Sequence, residues 1–220
     1  MLELRGVLAR FATRRPIFHS EADFQHELAW EIRESCRACP ACAIRLEAPF
    51  QALEKRGHLD IVVRCADGHA AIELKYKTRR LQTLVSAEEF SLLDQSAPDH
   101  GRYDFCKDIE RLERFVSRNP DARGFALLLT NDPTYWKSPR KEDTVDADFR
   151  LHDKRVLAGR LKWQGRFSKG TVVGREAEIN IRGAYRLAWQ DYAAVDDQPH
   201  GRFRYALVEA LAPDPRGLCR

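Results

Sequence analysis

Two short apolar runs carry charges that an apolar strand cannot hold cheaply. Residues His58 to Val63 are apolar apart from Asp60, and Ala70 to Tyr76 are apolar apart from Glu73 and Lys75. An unpaired charge inside an apolar strand costs on the order of several kcal/mol. Three such charges in two adjacent strands need a shared reason. Two carboxylates and one ammonium are the groups that a divalent-metal site for phosphate chemistry requires.

Between the runs lies Arg64-Cys-Ala-Asp-Gly-His69. Asp-Gly between apolar runs is a strong hairpin signal, because both central residues of a type I′ turn need positive φ. With Asp67-Gly68 as the loop, Val62 is expected opposite Glu73, and Asp60 opposite Lys75. Side chains alternate along a strand. Asp60, Glu73 and Lys75 then share one face. Leu59, Ile61, Val63, Ile72, Leu74 and Tyr76 share the other, the expected buried face. An alternative reading is a surface sheet face with an ordinary Asp–Lys cross-strand pair, worth about 0.2–1 kcal/mol.

The surrounding pattern is mixed α/β. Ser20 reads as an N-cap with Asp23 in the capping-box position, and Phe24, Leu28 and Ile32 recur at helical spacing to about Ser35. Ala43 to Phe50 reads as a first strand. Tyr103 to Val116 reads as a helix on Phe105, Ile109, Leu112 and Val116. Gly124 to Thr130 is a continuous apolar strand, as expected for one buried on both faces.

With Asp60 as first acid and Glu73-Leu74-Lys75 as the second element, the chain resembles the PD-(D/E)XK nuclease superfamily. Leu59 stands where the superfamily name has proline. The resemblance spans roughly residues 20–132 and implies a restriction-endonuclease-like αβββαβ core. It also implies a metal-dependent hydrolase cutting phosphodiester bonds, an endodeoxyribonuclease in a repair, restriction or defence setting. The alternative is a catalytically silent nucleic-acid-binding or assembly subunit of the same fold. A partner subunit in a host-defence system is a third reading.

The resemblance further implies Mg²⁺, or Mn²⁺, held by Asp60, Glu73 and the backbone carbonyl of Leu74. Lys75 would hold or deprotonate the attacking water. A helix glutamate often completes such sites. Glu21 falls about 20° from the centre of the inward helix face, and Glu27 about 100° from it. Glu21 is therefore the preferred candidate, although a first-turn acid also complements the helix dipole. Gln25 leans inward as well. Lys107, Asp108 and Arg111 are candidates from the second helix, where solvated ion pairs are the competing explanation.

The 220 residues suffice for one substantial core. A net charge of +4, from 37 basic and 33 acidic residues, does not itself argue for nucleic acid. Distribution is more informative. Lys77, Arg79 and Arg80 follow the proposed site, and Trp136 and Lys137 mix an aromatic with a cation after the apolar strand. Such mixtures suit phosphate contact and base stacking. The competing readings are a solvated lysine at a strand end and an ordinary basic loop. DNA is the expected partner, with a homodimer possible.

No run reaches the roughly 18 apolar residues of a membrane span. Residues 1–16 lack the apolar core of a secretory signal. A cytoplasmic setting with reduced thiols is expected. Cys36, Cys39 and Cys42 then read as free thiols rather than an iron–sulfur or zinc site. A fourth ligand would have to come from Cys65, Cys106 or Cys219.

Residues 1–132 are expected to form the nuclease-like core, and 133–220 a β-rich extension packed on it. Its strand-like runs are Arg155 to Trp163, Ala177 to Ile181, Ala184 to Trp189 and Phe203 to Ala210. They either extend the core sheet or form a small β-subdomain against it.

Overall fold

The computed structural model describes residues 2–212 apart from 38, 40, 53, 54, 67, 96 and 168. Helix α1 (Leu4–Arg14) buries Leu4, Val7, Leu8 and Phe11, so the scattered apolar residues of the N-terminus form a helical stripe. Helix α2 (Glu21–Ser35) starts where expected, with Ser20 Oγ accepting the Asp23 N–H at 3.1 Å. Strands β1 (Ala43–Ala52), β2 (Lys55–Cys65) and β3 (Gly68–Lys77) form an antiparallel meander. A separate hairpin, β4 (Leu81–Val85) and β5 (Glu88–Leu92), leads into helix α3 (Pro98–Arg118). Strand β6 (Ala122–Thr130) then returns parallel to β3. A crossover through α3 makes that parallel pairing possible.

The remaining chain does both things left open by its sequence. Strands β7 (Val156–Leu161) and β8 (Ile179–Arg186) pair as a hairpin, with the short helix α4 (Lys169–Val172) between them. Strands β9 (Trp189–Ala194) and β10 (Arg202–Leu211) join the main sheet, whose order is β1-β2-β3-β6-β10-β9. The runs expected at 177–181 and 184–189 merge into β8 as far as Arg186, and Trp189 opens β9. Gly183 marks an irregularity inside β8 rather than a break, because the Arg182 and Gly183 N–H groups bond to the Glu113 carboxylate at 2.9 and 2.7 Å.

The sheet is covered on both faces. Phe11, Phe18, Phe24, Ile72, Leu74 and Tyr76 pack on the α1/α2 side. Ala71, Ala126, Leu128, Ile109, Leu112 and Phe149 pack on the α3 side. This corrects the expectation of one buried face. Glu73 lies on the α3 side and is itself only 1 % exposed. Leu59 also packs there with Val62, whereas Ile61 and Val63 face α1 and α2. The change of face between Leu59 and Ile61 coincides with Glu47, opposite Asp60, which takes a φ of +48°.

The hairpin register is displaced from the expected one. Ile61 pairs with Ile72, Val62 with Ala71, and Cys65 with Gly68. Gly68 therefore opens β3 with a φ of +127° instead of sitting at the centre of the turn. Asp67 lies outside the described residues. The displacement is by two residues, so faces are kept while partners change. Val62 does not oppose Glu73, and Asp60 comes level with Glu73 rather than Lys75.

Candidate active site

The ladder between β2 and β3 stops after the Ile61–Ile72 pair. Beyond it the N–H groups on that edge of β3 need other acceptors. Two carboxylates supply them. Asp60 Oδ2 accepts the Leu74 N–H at 2.7 Å, and Glu21 Oε2 accepts the Tyr76 N–H at 2.8 Å. The separation of the two strands thus seats an acid from β2 beside an acid from the first turn of α2. One helical turn on, the buried Gln25 donates from Nε2 to the Asp60 carbonyl at 2.8 Å and to Glu47 Oε1 at 2.7 Å. It holds α2 against the site. Glu47 was missed by the sequence reading. Its signal was an acid in the middle of a predicted strand, level with Asp60 in the meander.

Helix α3 supplies the other wall. Arg111 Nη1 donates to Glu73 Oε1 at 2.6 Å, and Lys75 Nζ lies 2.7 Å from Asp108 Oδ2 and 3.1 Å from the Leu74 carbonyl oxygen. Asp108 and Arg111 are 3.7 Å apart. The expectation that these two form a solvated pair is corrected. Asp108 is 3 % exposed, because α3 lies across the sheet and turns this i, i+3 pair onto β3. Lys107, the residue before Asp108, is exposed.

The electrostatics follow from this packing. Burial raises the Asp60 carboxyl, against the pull of Lys75 and the Leu74 N–H. Burial, reinforced by Asp108, pushes Glu73 up to about 9 despite Arg111. Burial alone would lower Lys75, but Asp108, Asp60 and Glu21 outweigh it and hold the ammonium charged. Arg111 is likewise held up by Glu73 and Asp108 against its burial. Four carboxylates (Glu21, Asp60, Glu73, Asp108) interact with two cations (Lys75, Arg111), a formal excess of two negative charges. Glu73 Oε2 is buried without a hydrogen-bond partner among the described residues.

The basic residues sit at one end of the sheet. β3 and β6 are parallel, with Lys77 level with Thr130, so the segments following both strands leave together. Asn131 ties them, accepting the Arg79 N–H at 2.7 Å and donating to the Arg79 carbonyl at 3.1 Å. Lys77 is half-buried, Arg79 pairs with Asp94 at 3.1 Å, and Arg80 and Lys137 are exposed. Trp136 is half-buried, with its ring 5.7 Å from Trp189 and 5.7 Å from the Arg204 guanidinium. It serves packing more than it offers an open stacking face.

The cysteines converge elsewhere. Cys36, Cys42 and Cys65 place their Sγ atoms within 4.8 Å of one another. Cys106 is buried on the α3 side of the sheet, and Cys219 lies outside the described residues. Among the described residues no helix is long and apolar enough to cross a membrane. No protein-family model matches the chain, and neither a curated protein nor a solved structure matches it significantly.

Proposed function

We propose that the chain is a metal-dependent phosphodiesterase of the PD-(D/E)XK type, acting on DNA as an endonuclease. The observation that carries this reading is the buried, unpartnered Oε2 of Glu73 in a cluster that sets four carboxylates against two cations. A divalent cation would answer both. With the β4–β5 hairpin set aside as an insertion before α3, the elements α2, β1, β2, β3, α3 and β6 also follow the order of a restriction-endonuclease-like core, with Asp60 on its second strand and Glu73 and Lys75 on its third.

The donors suit a hard cation: the carboxylates of Asp60 and Glu73 and the carbonyl of Leu74. Bound there, Mg²⁺ or Mn²⁺ supplies charge stabilisation for phosphodiester hydrolysis. Lys75 contributes as a cation. Its neighbours hold it protonated, so it orients the attacking water or a phosphate oxygen by hydrogen bonding rather than removing a proton. Asp108 positions Lys75, and Arg111 positions Glu73. Glu21 and Gln25 fix the edge of β3 and the carbonyl of Asp60. Lys77, Arg80 and Lys137 offer phosphate contacts at the same end of the sheet.

A second reading, a nucleic-acid-binding subunit without chemistry, is favoured by one observation. Lys75 and Glu73 already have ion-pair partners in Asp108 and Arg111. Cleavage of plasmid and single-stranded DNA with Mg²⁺ or Mn²⁺ separates the two. Asp60→Ala and Lys75→Ala are expected to lose at least about 100-fold in rate. Equal rates for wild type and both variants would remove the hydrolytic reading, and DNA binding without cleavage would favour the silent one.

A further inference from the structure

The cysteine cluster lies apart from the acidic site and is built from distant parts of the chain. Cys36 follows the last residue of α2 and closes it, its N–H bonding to Ile32 and Arg33 carbonyls. Two tight returns follow. The Cys39 N–H donates to the Cys36 carbonyl at 2.9 Å, and the Cys42 N–H to the Cys39 carbonyl at 3.1 Å. These returns keep Cys39 next to the group in the chain, although its Sγ lies outside the 4.8 Å set formed by Cys36, Cys42 and Cys65. Arg33 donates to the Cys42 carbonyl at 2.5 Å and fixes the loop against the helix.

Cys65 comes from the hairpin end of β2. The β1–β2 register, with Ala43 opposite Arg64, carries Cys42 level with it. The Cys42 and Cys65 sulfurs are 3.0 Å apart. Cys42 is 6 % exposed, and Cys36 and Cys65 are half-buried. Cys36, Cys39 and Cys65 line one cleft of 450 Å³ together with Val7, Arg10 and His69.

Thiols are weak donors and weak acceptors, so three of them facing one another in a half-buried corner stabilise each other little. A disulfide would use two and strand the third. Tetrahedral thiolates at about 2.3 Å from a zinc ion stand about 3.8 Å apart. The observed cluster, with one pair at 3.0 Å and all three within 4.8 Å, brackets that spacing. An iron–sulfur cage carries its thiolates on separate corners and needs them further apart.

We propose that Cys36, Cys42 and Cys65 bind one Zn²⁺ that clips the end of α2 and the start of β1 to the β2–β3 hairpin, with Cys39 completing the set by turning its side chain in from outside the group. Four protein ligands leave no open position, so the ion is structural. It anchors β2 at its hairpin end, while Asp60 lies at the middle of the strand. This inference does not depend on the hydrolytic reading.

The test is the metal content of the full chain, expressed with zinc and purified under reducing conditions. About one zinc per chain is expected. Replacement by Co²⁺ should give the visible spectrum of a tetrahedral thiolate site. Cys42→Ser and Cys65→Ser should each lower zinc to under about one tenth per chain, while Cys106→Ser keeps it. If a variant fails to fold, the cobalt spectrum and zinc release by a mercurial on the wild type still decide. Folded, reduced wild type that takes up no zinc overturns the proposal. So does a Cys42–Cys65 disulfide, or iron with acid-labile sulfide.

Discussion

Lys75 Nζ lies 2.7 Å from Asp108 Oδ2, joining the central strand β3 to helix α3 across a contact from which water is largely excluded. Breaking a buried pair from one side leaves an uncompensated charge. Lys75→Met is therefore expected to destabilise the fold by about 3 kcal/mol. Lys75→Met/Asp108→Asn should recover part of that loss. Urea melts of the two single variants and the double variant measure the coupling, and simple additivity would show that the pair acts separately.

The raised carboxyls tie stability to pH. Glu73 is pushed up to about 9 in the folded protein from an ordinary 4.5, and Asp60 shifts in the same direction. A carboxyl with a raised folded pKa binds protons more tightly when folded. Its contribution is fully present below the unfolded value and is lost as pH rises towards the folded value. Metal-free protein should therefore lose stability steadily between about pH 5 and pH 8. Glu73→Gln should flatten that slope. Denaturant melts at three pH values in the presence of a chelator provide the check.

A cation at the acidic cluster should act on the folded state alone. Mn²⁺ or Mg²⁺ is expected to raise the melting temperature with a dependence on concentration. Asp60→Asn and Glu73→Gln should each remove the shift, and the pH slope should weaken when the metal is present. Thermal melts across a metal titration measure all three. A shift unchanged in both variants would place the cation elsewhere.

Glu113 tests the second hairpin. Its carboxylate is buried and accepts the Arg182 and Gly183 N–H groups and the Tyr185 hydroxyl, at 2.9, 2.7 and 2.9 Å. Charge-assisted hydrogen bonds are worth about 1.5–3 kcal/mol each. Glu113→Ala should cost about 3 kcal/mol or more and speed amide exchange selectively in β8. Glu113→Gln should cost less.

Helix α2 with its Ser20 cap, the strands of the meander and the apolar strand β6 were legible in the sequence, because periodicity and capping act within a few residues. The alternation of side chains put Glu73 and Lys75 on one side of β3, which a register displaced by an even number of residues leaves unchanged. The register itself was not legible. It depends on whether Gly68 spends its positive φ inside the turn or at the first position of β3, which neighbouring strands decide. The direction of Asp108 and Arg111 was also hidden, since an i, i+3 pair looks the same on a solvated face and on a buried one. Only the docking of α3 across β3 distinguishes them. The meeting of Cys65 with Cys36 and Cys42 belongs to the same class. The local pattern determined which elements form and which residues share a face. The tertiary structure decided which charges and which thiols meet, because those meetings join segments distant in the chain, and packing alone sets how they approach.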